Sequence, residues 1–77
     1  MDGTIYYTIY KNPSDFPGKF VIRAFTIKPK AAIAHSSPFY VGPSADACRK
    51  HLSDNVPGLF PIPRSPTDDP VIVETWI

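Results

Sequence analysis

Few residues of this 77-residue chain are of types that do chemistry. Cys48 and His51 stand three apart, a spacing at which a helix brings two side chains together, and His35 or Asp68 would have to complete any metal set. Structural zinc sites present two ligand pairs, whereas the whole chain holds one cysteine and two histidines. The plainer reading makes Cys48 a small buried helix residue and His51 a surface group. No metal and no other cofactor is expected. A Cys48 nucleophile with a histidine base fares no better, because no third group is placed to orient the base.

A second cluster lies in "RSPTDDP", Arg64 to Pro70. In a proline-stiffened loop, the Arg64 guanidinium with the Ser65 and Thr67 hydroxyls can hold a phosphate or carboxylate. Asp68 and Asp69 place two negative charges beside that anion site. The structural reading is an Arg64 ion pair with one of them, or an ordinary Ser65-Pro66-Thr67-Asp68 turn. "PRSP" also has the PxxP form read by aromatic grooves, and Ser65-Pro66 the form of a proline-directed phosphorylation site, but ten prolines make such short matches unremarkable. Paired acid and base groups and a glycine-rich phosphate loop are absent, so the chain is not expected to be an enzyme.

Length and charge set the frame for these residues. A single domain spanning 1–77 buries only about 60 to 65% of its unfolded surface, so its core is small. Eight basic residues against seven acidic ones leave a net charge of +1, with no global field to steer nucleic acid or an anionic membrane. A lone cysteine forms no internal disulfide, which suits a reducing, cytoplasmic setting. Met1-Asp2-Gly3 leads straight into a strand pattern with no secretory signal, and no apolar run approaches the roughly 20 residues that cross a bilayer. A protein with no membrane association is expected.

The elements follow from periodicity. "TIYYTIY", Thr4 to Tyr10, alternates β-branched and aromatic residues and predicts a first strand. Phe16-Pro17-Gly18-Lys19 fits a type II turn, and "KFVIRAFTI", Lys19 to Ile27, a second strand. "KPKAAIAHSSP", Lys28 to Pro38, reads as a mobile loop, and Phe39 to Val41 as a short third strand. In "SADACRKHLSDN" Ser44 caps a short helix, Asp46 sits in its first turn, and Ala45, Cys48 and Leu52 share one face. Asn55 suits a left-handed residue past the helix end, and Pro57 bars continuation. Five prolines between Val56 and Pro70 favour turns and extended chain, with Leu59, Phe60 and Ile62 as core contacts. Val71 to Ile77 is the last strand. The order β-β-(β)-α-β predicts an α+β fold: a small, mostly antiparallel sheet of three or four strands with one short helix on one face.

Alternation also sorts the faces. With Ile5, Tyr7, Ile9, Phe20, Ile22, Ala24, Val71 and Val73 toward the helix, the other face displays Tyr6, Tyr10, Arg23, Phe25, Ile72, Glu74 and Trp76. A sheet face in water is ordinarily polar, and aromatics with arginine are enriched at interface centres. The set Tyr6, Tyr10, Arg23, Phe25 and Trp76 is therefore the expected interface of a homodimer. Cover by the chain itself, from Lys28 to Pro38 or from Val56 to Ile62, is the alternative, and a one-residue slip in register would reverse the assignment. An open aromatic face can also stack single-stranded bases, but too few lysines and arginines surround it to follow a phosphate backbone. Nucleic acid thus ranks behind a protein partner.

"TIYYTIYKNPSDFPGKFVIR" at one end and "LFPIPRSPTDDPVIVETWI" at the other resemble a group of short uncharacterised bacterial proteins. These share a Tyr-rich first strand and an Arg-Ser-Pro-x-Asp-Asp-Pro approach to the last. The resemblance carries no activity, ligand or catalytic residue and implies only a bacterial, cytoplasmic setting. The function expected is non-catalytic: a small interaction module that homodimerises through its aromatic sheet face.

Overall fold

The computed structural model of the chain describes residues 4–63 and 70–77. Within them lie β1 (Thr4–Lys11), β2 (Phe20–Lys28), β3 (Ala31–Ala34), β4 (Tyr40–Gly42), α1 (Ala45–Asn55), β5 (Pro61–Pro63) and β6 (Ile72–Trp76). The strands form one antiparallel sheet in the order β3-β2-β1-β6-β5, with β4 also paired to β2. This is an α+β fold with six strands among the described residues, so the expected three or four was an undercount.

The central hairpin forms where the alternating pattern is strongest. β1 and β2 pair without interruption from Thr4↔Ile27 to Lys11↔Phe20. Their connection is fixed by two left-handed residues, Asn12 (φ 52°) and Gly18 (φ 78°). The Asn12 Oδ1 accepts from the Gly18 N–H at 2.6 Å, and the Phe16–Lys19 turn is closed by the Lys19 N–H on the Phe16 carbonyl at 3.2 Å. Asparagine tolerates positive φ because its short amide bonds locally.

The undercount has two sources. The segment expected as a mobile loop contains β3, which folds back on β2 through Pro29-Lys30 from Lys28↔Ala31 to Phe25↔Ala34. Alanines carry little strand propensity, so pairing to β2 rather than local preference makes this a strand. At the other end, β5 is "PIP", whose prolines argue against a strand unless it lies at an edge, which is where it lies.

The Ser44 Oγ of α1 accepts from the Ala47 N–H at 3.1 Å, and Asp46 stands in the first turn, where the helix dipole favours an acid. Asn55 ends the helix differently from expectation. It is the last helical residue, and its amide donates to the His51 carbonyl at 2.8 Å while Val56 takes the cap position. Cys48 and Leu52 face the sheet and are fully buried with Ile9 and Ile22, while Val21, equally buried, lies on the opposite face of β2. Tyr7, Ala24 and Trp76 complete the core beneath α1, flanked by Phe20, Tyr40, Val56, Leu59 and Val73. Fully burying a side chain of the Ile9, Ile22 or Leu52 type contributes about 1.5–3 kcal/mol. Three residues expected inside are not in it: Ile5 of β1, and Phe60 and Ile62 of the β5 segment, are exposed.

β6 holds the largest departure. It pairs with β1 as Tyr7↔Trp76, Thr8↔Thr75 and Ile9↔Glu74, then shifts so that Tyr10 meets Ile72 and Val73 is the extra residue of a bulge. A bulge adds one residue to one strand and breaks its alternation. Glu74 and Trp76, expected on the open face, therefore share the helix-side face with Ile9 and Tyr7. Val73 packs on the core as expected.

Candidate functional site

The open face of the sheet is built in rows by the strand register. Phe25 and Tyr6 are cross-strand partners, and their rings stack with centroids 5.0 Å apart and planes 11° from parallel. Ala34 continues this row on β3. On the other side, Ile77 and Phe60 exchange backbone hydrogen bonds of 2.7 and 3.1 Å, which extends β5–β6 pairing by one step and puts both side chains in the same row. The row Phe60–Ile77–Tyr6–Phe25–Ala34 thus crosses five chain segments. Beside it run Ile62, Thr75, Thr8 and Arg23, and beyond these Ile72, Tyr10, Val21 and Val41.

Exposure is uneven along these rows. Phe60 is 74% exposed, Ile77 47% and Ile62 42%, whereas Tyr6, Tyr10 and Phe25 are half-buried. Arg23 forms an ion pair with Asp15 of the β1–β2 connection, so this connection folds over the face. Neither segment proposed from the sequence as cover is the one that supplies Asp15. The structure brings together four of the five residues singled out for this face: Tyr6, Tyr10, Arg23 and Phe25. It places the fifth, Trp76, on the opposite side at 8% exposure, in the core with Cys48 and Leu52. Phe60, Ile62 and Ile77 take its place on the open face. Reading β5 as an edge strand paired to β6 would have found the first two; their alternation with Pro61 and Pro63 is the only sequence signal.

On the helix side Glu74 is the hub of a polar network. Its carboxylate accepts from the Arg49 Nε at 3.1 and 3.2 Å, from Arg49 Nη2 at 2.9 Å and from the Trp76 indole N–H at 2.6 Å. Arg49 also reaches Asp46 at 2.7 Å. Burial alone would raise the Glu74 carboxyl, but the hydrogen bonds from Arg49 and Trp76 outweigh it and leave the group below its ordinary value. The hydrogen bonds that Arg49 donates to Glu74 and Asp46 in turn raise its own pKa. This is a structural clamp between α1 and β6, since all its groups are mutually satisfied.

His51 lies in a ring stack, 4.1 Å from Tyr40 with planes 14° apart and 5.4 Å from the edge-on Phe39, which also touches Tyr7. Cys48 is fully buried, and desolvation pushes its thiol up to about 11, with the Arg49 charge opposing in part. Among the described residues no three His, Cys, Asp or Glu side chains gather as metal ligands. The other histidine, His35, is held by Thr26 at 2.8 Å. The anion-binding set Arg64, Ser65 and Thr67 lies outside the described residues. No helix among the described residues is long and apolar enough to cross a membrane. No protein-family model, curated protein or solved structure matches the chain.

Proposed function

We propose that the protein is a non-catalytic interaction module that pairs with a second copy of itself through the open sheet face, in a bacterial cytoplasm. The observation that carries this is the row Phe60–Ile77–Tyr6–Phe25, whose outer members expose large apolar surface beside a stacked aromatic pair. Monomers rarely leave such contiguous patches open. Arg23, the cation that the strand register places on this face, is already neutralised by Asp15. A surface without free cations among the described residues suits an apolar, self-complementary partner better than a phosphate backbone. A two-fold axis near Tyr6 and Phe25 would lay Phe60 of each copy against the far end of its partner's row.

Size-exclusion chromatography with light scattering tests the reading. The expected mass is that of two 8.5 kDa chains. Phe60→Glu, at an exposed position with little to lose in the fold, is expected to give monomers. A wild-type monomer at every concentration, or a Phe60→Glu dimer of unchanged stability, would sink the proposal. Salt-sensitive binding of an oligo-deoxythymidine that Phe25→Ala abolishes would hand the same face to single-stranded nucleic acid instead.

A further inference from the structure

The two edges of the sheet are treated oppositely by the sequence. Along β5, Phe60 exchanges both backbone hydrogen bonds with Ile77, so in antiparallel alternation Ile62 bonds inward and Pro61 and Pro63 face outward. Both outward positions of this edge therefore lack an N–H, the device by which proteins block strand addition. Along β3, the His35 N–H donates to the Ala24 carbonyl at 3.0 Å, which makes His35, Ile33 and Ala31 the inward-bonding residues. Ala32 and Ala34 then turn both N–H and C=O away from β2, and among the described residues no further strand pairs with β3. All four residues of β3 are exposed, and none is proline or charged. Their small side chains on the open face leave room beside Phe25, while Ile33 and Ile5, each exposed, share a row on the other face.

We propose that the β3 edge is a strand-addition site for an extended peptide that pairs with Ala32 and Ala34, lays an apolar side chain beside Phe25, and carries acidic residues opposite Lys28 and Lys30. Strand addition draws affinity from main-chain hydrogen bonds and specificity from alternate side chains. Charge decides the occupant. Lys28 and Lys30 are exposed at the hairpin and take part in no ion pair among the described residues. The stretch "KPKAAIAHS", from Lys28 to Ser36, contains no acid. Two copies joined edge to edge would bring these lysines near one another's lysines or His35, with nothing to balance them. An acidic peptide supplies what a second copy does not, and the site meets the open-face row only at Phe25 and Ala34, the end far from Phe60.

The test uses the full chain and a fluorescein-labelled heptapeptide, Val-Thr-Val-Phe-Val-Glu-Glu, whose acidic end lies at the Lys28 and Lys30 hairpin when it pairs antiparallel to β3, with amide resonances followed by heteronuclear NMR. Binding is expected to shift and protect the Ala32 and Ala34 amides. A peptide with lysines in place of both glutamates should bind about tenfold more weakly, the yield of two exposed ion pairs. The double variant Lys28→Glu, Lys30→Glu should invert that order. A peptide N-methylated on alternate amides, along the edge meant for β3, should not bind. Three outcomes overturn the proposal: no change at Ala32 and Ala34 at millimolar peptide, equal affinity for both charge forms, or undiminished binding after N-methylation. Repeating the titration with Phe60→Glu separates this site from the open face. Binding that persists in a monomeric variant belongs to the edge, and binding lost with Phe60 alone overturns the edge assignment.

Discussion

Glu74 joins the last strand to the helix through two donors on different elements, and its ionised form is what they recognise. Its pKa in the folded chain lies below the ordinary 4.5, so folding favours the carboxylate. That contribution is complete at neutral pH and is lost as pH falls below about 4.5 and through the folded-state value. Glu74→Gln keeps the shape but removes the charge-assisted bonds, and is expected to cost about 1–3 kcal/mol near pH 7. Urea melts of both proteins should show the gap narrowing by about pH 3; a constant gap would mean that the carboxylate charge contributes nothing. Residue types alone hid this role: Glu74 alternates with Trp76 as a surface acid would, and its partners lie 25 and 2 positions away.

Among the elements, β4 shows how closely backbone and rings are fitted. A Cβ on Gly42 would come within 2.5 Å of the Tyr40 ring, which stacks in turn on His51 of α1. Gly42→Ala is therefore expected to push Tyr40 out of that stack and destabilise the domain by about 1–3 kcal/mol. Thermal melts, with the His51 ring resonances as a local marker, would check it, and unchanged ring shifts would refute it. β1, β2 and α1 could be read in the sequence because their local patterns and their packing agree. β3 could not, since "AAIA" has no strand preference apart from its pairing to β2, and β5 was concealed by the prolines that protect it. The face of Trp76 escaped for another reason: alternation assumes an unbroken ladder, and the extra residue at Val73 leaves no trace in composition. Four of the five residues assigned to the open face were nonetheless legible, because β1 and β2 pair without a shift.

At the scale of the whole molecule, the helix covers one side of the sheet and leaves the other to be covered from outside or by the short β1–β2 connection. The sheet presents one edge without donors and one with them. The two proposals therefore place different partners on different surfaces, a broad apolar one on the face and a narrow main-chain one on β3. The bulge at Val73 has a practical corollary for observing them. It carries the chain's single tryptophan to the helix side, with its indole N–H on a carboxylate. Intrinsic fluorescence excited at that ring is therefore a gauge of the interior alone. Its emission should be the same in dimer, Phe60→Glu monomer and peptide complex, and should change only when α1 lifts from the sheet. A spectral shift on dilution would place the association surface on the helix side.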